Sequence, residues 1–162
     1  MKQRNQQKGF TIIEVVLVLA IAALIFLVVF LAVPALRRSQ RDTQRRSDIG
    51  RLQTAITNYA GNHQGGLPTA EMLLDTTASG FVSKYMTSVG DKWGDPKVGT
   101  YTITNTAGGI LISAAWDETT SNVNYLTNAK CNDDGTVTTG LGNRQFAIQI
   151  VLENNDLYCL GN

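Results

Sequence analysis

Glu14 stands where a carboxylate is costly. It follows Ile12 and Ile13 and leads through Val15 and Val16 into a run, residues 15–36, that contains no charged side chain. A carboxylate inside a bilayer costs about 2.5–3.5 kcal/mol on insertion scales, so Glu14 requires a partner in the membrane or at its edge. Immediately before it, Lys8-Gly9-Phe10-Thr11 joins a short basic leader to the apolar run at a glycine, a feature that a plain signal-anchor helix does not need. The other residues able to do chemistry are few. With two cysteines and one histidine, and no CxxC or HExxH spacing, a four-ligand zinc site would have to recruit carboxylates. His63 is the sole histidine, and no GxSxG turn accompanies it. No phosphate loop of the GxxxxGK[ST] or GxGxxG type is present. Asn132-Asp133-Asp134-Gly135 suggests a calcium loop, but the twelfth position counted from Asp133 is Arg144, where a hand-type loop needs Glu. An Asp-Gly turn explains that segment better. The expectation is a non-enzymatic chain with no metal site and no cofactor.

The elements that must position these residues divide the 162-residue chain unevenly. The 22 residues 15–36, as a helix, reach roughly 33 Å against a hydrocarbon core of about 30 Å. The run is too long for a secretory signal peptide and ends in Pro34-Ala35-Leu36-Arg37, not in a small-residue cleavage site. Charge is segregated as well. Residues 1–9 carry three bases and no acid, residues 37–51 carry six arginines against Asp42 and Asp48, and residues 52–162 carry five bases against ten acids. Both flanks of the apolar run are therefore basic, and charge alone does not orient it. Pro34 removes one backbone donor and crowds the carbonyl of Phe30, so a kink or a melted turn is expected near residues 30–34.

Beyond the run, Ile49, Leu52, Ile56 and Tyr59 recur at helical spacing, with Ala55 and Ala60 beside them, and predict a core-facing stem that stops near Gly61. His63 then falls in the loop at the helix end. Residues 37–48 hold no large apolar side chain, which predicts a solvated neck or a contact surface between subunits. There Asp42 pairs with Arg38 and Arg46 at i,i+4, and Asp48 with Arg45 and Arg51 at i,i+3. Arg37, Arg38, Arg41, Arg45 and Arg46 also form a field that attracts phosphates and could meet nucleic acid. Lipid headgroups and the acidic heads of neighbouring subunits are the alternatives. Thr69 caps a short helix over residues 70–74. The segment 81–89 is ambiguous, and the turn cluster 93–99 leads into strands at 100–105, 110–116, 145–153 and 157–160. Turns at Ala107-Gly108-Gly109 and Asn154-Asn155 would connect them. A two-residue turn at Asn154-Asn155 sets Leu152 opposite Leu157 and Ile150 opposite Cys159. Residues 117–144, rich in Thr, Asn and Gly, are read as one long surface loop.

Lys8-Gly9-Phe10-Thr11-Ile12-Ile13-Glu14-Val15 resembles the processing site of type IV pilins and of type II secretion pseudopilins. The resemblance covers about the first fifth of the chain, and the stretch from Asp95 to Tyr101 is similar to the way the chain enters the strands in the same proteins. It implies cleavage between Gly9 and Phe10 by a membrane peptidase, methylation of the Phe10 amine, and assembly of the apolar helices into a filament. Glu14 would then meet the positive amine of a neighbouring subunit, and Pro34 would mark a stretch that unwinds as the stem extends. The implied fold is α+β: a leader at 1–9, a transmembrane and assembly helix at 10–36, an amphipathic stem at 37–61, and a head at 62–162 with a small antiparallel sheet. Partners would be further copies of the chain and minor pilins, the prepilin peptidase, the inner-membrane assembly platform and, before assembly, the lipid bilayer. Cys131 and Cys159 would form a disulfide, because a membrane span delivers the head to an oxidising compartment and the cysteine count is even. A pseudopilin, or an uncut membrane-anchored extracellular binding module, are the competing functions.

Overall fold

The computed structural model describes residues 9–87, 92–105, 115–117 and 119–162. The leader before Gly9, the turn at 107–109 and most of the strand expected at 110–116 lie outside them. Ala115 and Trp116, which are described, are not in a strand. The chain forms two compact units that divide after Arg37.

In the first unit, helix α1 (Ile12–Asn62) begins. A helix satisfies its backbone polar groups internally, which suits it to a lipid environment. Its side chains from Phe10 to Leu36 are almost all exposed, including Ile12, Leu19, Phe26 and Phe30. So much contiguous apolar surface must be covered by lipid or by other helices. The segment is long and apolar enough to cross a membrane. No melted turn interrupts α1 at residues 30–34. Pro34 forfeits one rung of the ladder, and the apolar helix-forming residues on either side keep the rest.

In the second unit the same helix presents Ile49, Leu52, Ala55 and Ile56, all buried, to a four-stranded sheet. The strands are β1 (Thr102–Thr104), β2 (Asn122–Thr127), β5 (Phe146–Val151) and β6 (Leu157–Gly161), in the order β1-β2-β5-β6. Ile103, Val123, Tyr125, Phe146, Ile148 and Ile150 face the helix and complete the core. The fold is α+β, as expected. The sheet, however, is not uniformly antiparallel: β1 runs parallel to β2, with Ile103 opposite Val123. The long connection between these strands has room for the crossover that a parallel pair needs. Helix α2 (Ala70–Leu73) starts where expected, with the Thr69 hydroxyl accepting from the Met72 N–H at 3.3 Å. The ambiguous segment contains a π-helical turn, Val82–Met86, that seats Val82 and Met86 in the core.

Residues 117–144 are not one loop. They supply β2, an interior strand of the sheet, and a hairpin of β3 (Ala129–Cys131) and β4 (Val137–Thr139) that forms a second, two-stranded sheet. The Thr and Asn residues hid these strands because β2 alternates its apolar residues with Asn122 and Asn124, and Asn124 is buried against Gln149. The hairpin covers the reverse face of β5, where Ala147, Leu126 and Ala129 form a small second cluster.

The β5–β6 connection also differs from expectation. Val151 pairs with Leu157 and Gln149 with Cys159, so five residues separate the paired ends. Asn155 takes a left-handed conformation (φ 64°) inside that turn, and Leu152 N–H bonds to Asp156 C=O at 2.9 Å. The one-residue shift carries Cys159 off the face of Ile148 and Ile150 and onto the reverse face. There it forms a disulfide with Cys131 of β3, the two Cα atoms 5.7 Å apart. The bond straps the β3–β4 hairpin to the edge strand β6. Gly135 in the hairpin turn makes the close approach feasible: its φ is +82°, and an added Cβ would lie 2.5 Å from the Leu157 carbonyl oxygen.

Replacing both cysteines by alanine should therefore cost about 2–4 kcal/mol of head stability, since a loop of this length is no longer closed in the unfolded chain. Urea denaturation of the full chain in micelles, followed by the fluorescence of Trp93 and Trp116, measures the loss. An unchanged midpoint would show that the strap contributes nothing.

Candidate functional site

Two places concentrate functional side chains, one in each unit. In the first, Gly9, Phe10 and Thr11 precede the helix and Phe10 is 89% exposed. Thr11 is the N-cap. Its N–H and its hydroxyl both donate to Glu14 Oε2 at 2.9 Å, and its hydroxyl oxygen accepts from the Glu14 N–H at 3.3 Å. This is a capping box, in which the first and fourth residues satisfy each other's otherwise orphaned groups. Glu14 thus has a partner one turn away on its own chain. The Thr-x-x-Glu spacing that announces such a box is present in the sequence, but reading Glu14 only as an intruder in an apolar run passes over it. Gly9 has open space around it: an added Cβ would meet nothing within 4 Å. The fold of this chain makes no demand for glycine there.

The second place is the stem from Arg38 onward, where the expected solvated neck is instead half interior. Asp42, Arg45 and Asp48 are buried. The Arg45 side chain has no exposure at all. Its Nε donates to Asp95 Oδ2 at 2.6 Å and its Nη2 to Asp95 Oδ1 at 3.1 Å, a two-pronged contact, while Nη1 donates to Asp42 and Glu153 at 2.9 Å each. The Trp116 ring lies against the guanidinium, 4.1 Å from its centroid. Arg41 makes a second two-pronged contact, with both oxygens of Glu153 at 2.6 Å. Asp95 is further saturated by the N–H groups of Lys97 and Val98 and by the Ser121 hydroxyl. A turn residue, a hairpin residue and the helix are held by one cation.

These contacts set the protonation of the cluster. Hydrogen bonding from Arg41, opposed by burial and aided by Arg45, holds Glu153 down at about 2. Burial pushes Asp95 up, but donors from Arg45, Val98 and Lys97 outweigh it and the carboxyl lies below its ordinary range. Burial disfavours the Arg45 cation, and its bonds to Asp95 and Glu153 more than offset this, so its affinity for the proton rises. Asp48 goes the other way. Burial raises it, only partly relieved by the Tyr101 hydroxyl at 2.9 Å and by Arg51 at 3.1 Å.

The arginine run is therefore divided. Arg45 is withdrawn from any surface, because a guanidinium with no exposure and four of its five donors committed internally is out of reach of a phosphate. Arg41 is half-buried on Glu153. Arg37, Arg38 and Arg46 remain exposed, with Arg46 positioned 5.7 Å from the Tyr158 ring centroid. Asp42 pairs with Arg45, not with Arg38 or Arg46, because the tertiary partners Asp95 and Glu153 draw Arg45 to that side. Sequence reading missed Asp95 and Glu153 as its partners, since neither is near Arg45 in the chain. His63 stacks on Tyr59 at 3.8 Å and contacts its carbonyl oxygen through Nδ1 at 2.8 Å, at the end of the helix. Asp134 accepts from the Thr136 N–H and hydroxyl, as a tight turn requires.

Residues 4–30 match the family model described as the prokaryotic N-terminal methylation motif, which is the class III signal peptide of type IV pilins. Comparison with curated proteins and with solved structures yields no match.

Removing the Arg45 side chain as Arg45→Met strands Asp95 and should destabilise the head by about 3–5 kcal/mol, read from its urea midpoint. The acid response has a definite sign. Glu153 and Asp95 bind protons less readily folded than unfolded, so their stabilisation is full above pH 4.5 and is lost as pH falls from there toward 2. Asp48 opposes this, its burden easing as it protonates. The melting temperature of the wild type should fall across that window. Glu153→Gln should melt lower at pH 7 and respond less to acid, and an equally steep acid response in that variant would remove Glu153 from the account.

Proposed function

We propose that this chain is a structural subunit of a type IV pilus, made as a membrane-inserted precursor and cut between Gly9 and Phe10 by a prepilin peptidase. The observation that carries the reading is the methylation motif at residues 4–30, set at the capped start of a helix whose apolar surface from Phe10 to Leu36 is uncovered. Proteins carrying this motif are structural, and the proposed role is likewise assembly, not catalysis. Cleavage exposes the amine of Phe10, which is then methylated, and the helix exchanges lipid for the helices of neighbouring copies. The partners are further copies, minor pilins and the inner-membrane assembly platform, and the product is an extracellular filament serving adhesion, motility or DNA uptake. Leader, assembly helix, stem and head would then be residues 1–9, 10–36, 37–61 and 62–162. A pseudopilin of a type II secretion system is the second reading, since the motif at residues 4–30 and the Asp95–Tyr101 stretch resemble both kinds of subunit alike. The Cys131–Cys159 strap favours the pilin.

Because the subunit itself leaves room for a side chain at Gly9, a block caused by substitution there reports on the peptidase and not on folding. Gly9→Leu should abolish cleavage while the uncut precursor stays folded in the membrane. Normal maturation, read by mass spectrometry of the N-terminus, would sink the processing assignment. Glu14 carries two separable roles, and two variants divide them. Glu14→Gln retains an acceptor for the Thr11 cap but loses the charge, whereas Glu14→Ala loses both. If the carboxylate neutralises the Phe10 ammonium of a neighbour, both variants yield mature membrane protein and few filaments by electron microscopy. Normal filament number in Glu14→Gln would leave capping as the whole role of this residue.

A further inference from the structure

The parallel pairing of β1 with β2 shapes the carboxyl ends of both strands. Asn105 leaves β1, Thr127 closes β2, and beside them opens a cleft of about 390 Å³. We propose that this cleft binds a neutral saccharide of one or two rings, a function that goes beyond filament assembly and does not rest on it.

The chemistry of the lining points to that class. Every residue lining the cleft is uncharged, in a head that carries acids and bases elsewhere. A phosphate or carboxylate ligand would find no cation there, and an amine no carboxylate. What the cleft offers is side-chain amides and a hydroxyl. Asn105, Thr127 and Asn143 make no side-chain hydrogen bond among the described residues, and all three are exposed. An amide presents two donors and an acceptor, which matches the vicinal hydroxyls of a sugar ring. Leu67, Pro68 and Ala70 supply an apolar wall for the C–H face of the same ring.

The floor is already built. Tyr125 is buried, and its hydroxyl donates to the Pro68 carbonyl at 3.0 Å, joining the wall to the sheet. Asn128 sits in a left-handed conformation (φ 59°), held by its N–H to Gln145 C=O at 2.7 Å, by its carbonyl to Gly140 N–H at 2.9 Å and by Oδ1 to Gly142 N–H at 2.5 Å. Its Nδ2 is left over, on a side chain that cannot wander. A site whose groups are fixed beforehand loses less ordering entropy when it binds. An extended peptide is the weaker fit. Strand addition needs an open edge, and the cleft lies past the end of the edge strand β1, whose residues Thr102–Thr104 do not line it, and beside β2, which is paired on both sides. The volume lies at the small end of ligand pockets, roughly 300–1,000 Å³. For so small a ligand in an open cleft, a dissociation constant on the order of 1 mM is expected.

Saturation-transfer NMR on the full chain tests this, in a phosphocholine detergent because a sugar detergent would compete. The probes are N-acetylglucosamine, methyl galactoside and lactose, with glucuronate and tetra-alanine as the charged and peptide comparisons. Transfer to at least one neutral sugar at millimolar concentration is expected, with little to glucuronate. The double variant Asn105→Ala with Asn143→Ala removes two hydrogen bonds and should weaken binding roughly tenfold. Neither side chain supports the fold, so its urea midpoint should match the wild type. No transfer from any of the three sugars at about 50 mM, far above that dissociation constant, would overturn the proposal. Binding that the double variant leaves unchanged, or stronger binding of tetra-alanine, would overturn it as well. The same measurement on uncut precursor gives the same answer whether or not the chain forms filaments.

Discussion

The head of this protein is organised around a buried cation. Arg45 lies on a stretch of helix with no large apolar residue, yet it is among the most deeply buried side chains in the molecule. A guanidinium taken out of water must be met by carboxylates placed to match its fork, or the desolvation cost is not offset. Asp42 is local, one turn away. Asp95 comes from the turn before β1, and Glu153 from the β5–β6 connection. Each must be delivered to within hydrogen-bond reach by the folding of a different segment, so the cluster forms only when the helix, the turn and the hairpin are all in place. That requirement explains the turn after β5. Glu153 reaches two arginines and donates its own N–H to Asp42 at 3.0 Å, and a two-residue turn would have placed this position in a different register.

The same cluster changes the meaning of the charge run that follows the apolar segment. Six arginines in fifteen residues read as an electrostatic surface, but Arg41, Arg45 and Arg51 are engaged with carboxylates of the second unit. What remains on the surface is a much smaller field, from Arg37, Arg38 and Arg46. Nucleic-acid affinity grows with the number of phosphates neutralised, so the withdrawal of half the run weakens that reading more than composition would suggest.

At the helix start a different economy operates. Glu14 is costly in a membrane, and the capping box gives its carboxylate two donors from Thr11 while the helix keeps its first turn intact. The same carboxylate that is costly in the apolar segment thus closes the first turn of the helix it sits in. Gly9 shows the complementary logic, since its own chain has no use for the missing side chain. No close approach in the described fold explains the glycine at that position.

The sequence by itself determined the features that depend on neighbours along the chain. The uncharged span, the motif around Gly9 and Glu14, the Ile49–Leu52–Ile56 stripe, the Thr69 cap, the helix end near Gly61 and the α+β class all follow from local spacing and composition, because helices and caps close their bonds within a few residues. Pairings that cross long stretches were decided only by tertiary structure. The parallel β1–β2 pair, the interior strand at residues 122–127 hidden among Asn and Thr, and the one-residue shift that moves Cys159 to the other face of the sheet depend on contacts absent from local pattern. The partners of Arg45 belong to the same class. Asp95 and Glu153 lie 50 and 108 residues away along the chain, and a carboxylate at that distance carries no signature of its partner until the chain between them has folded.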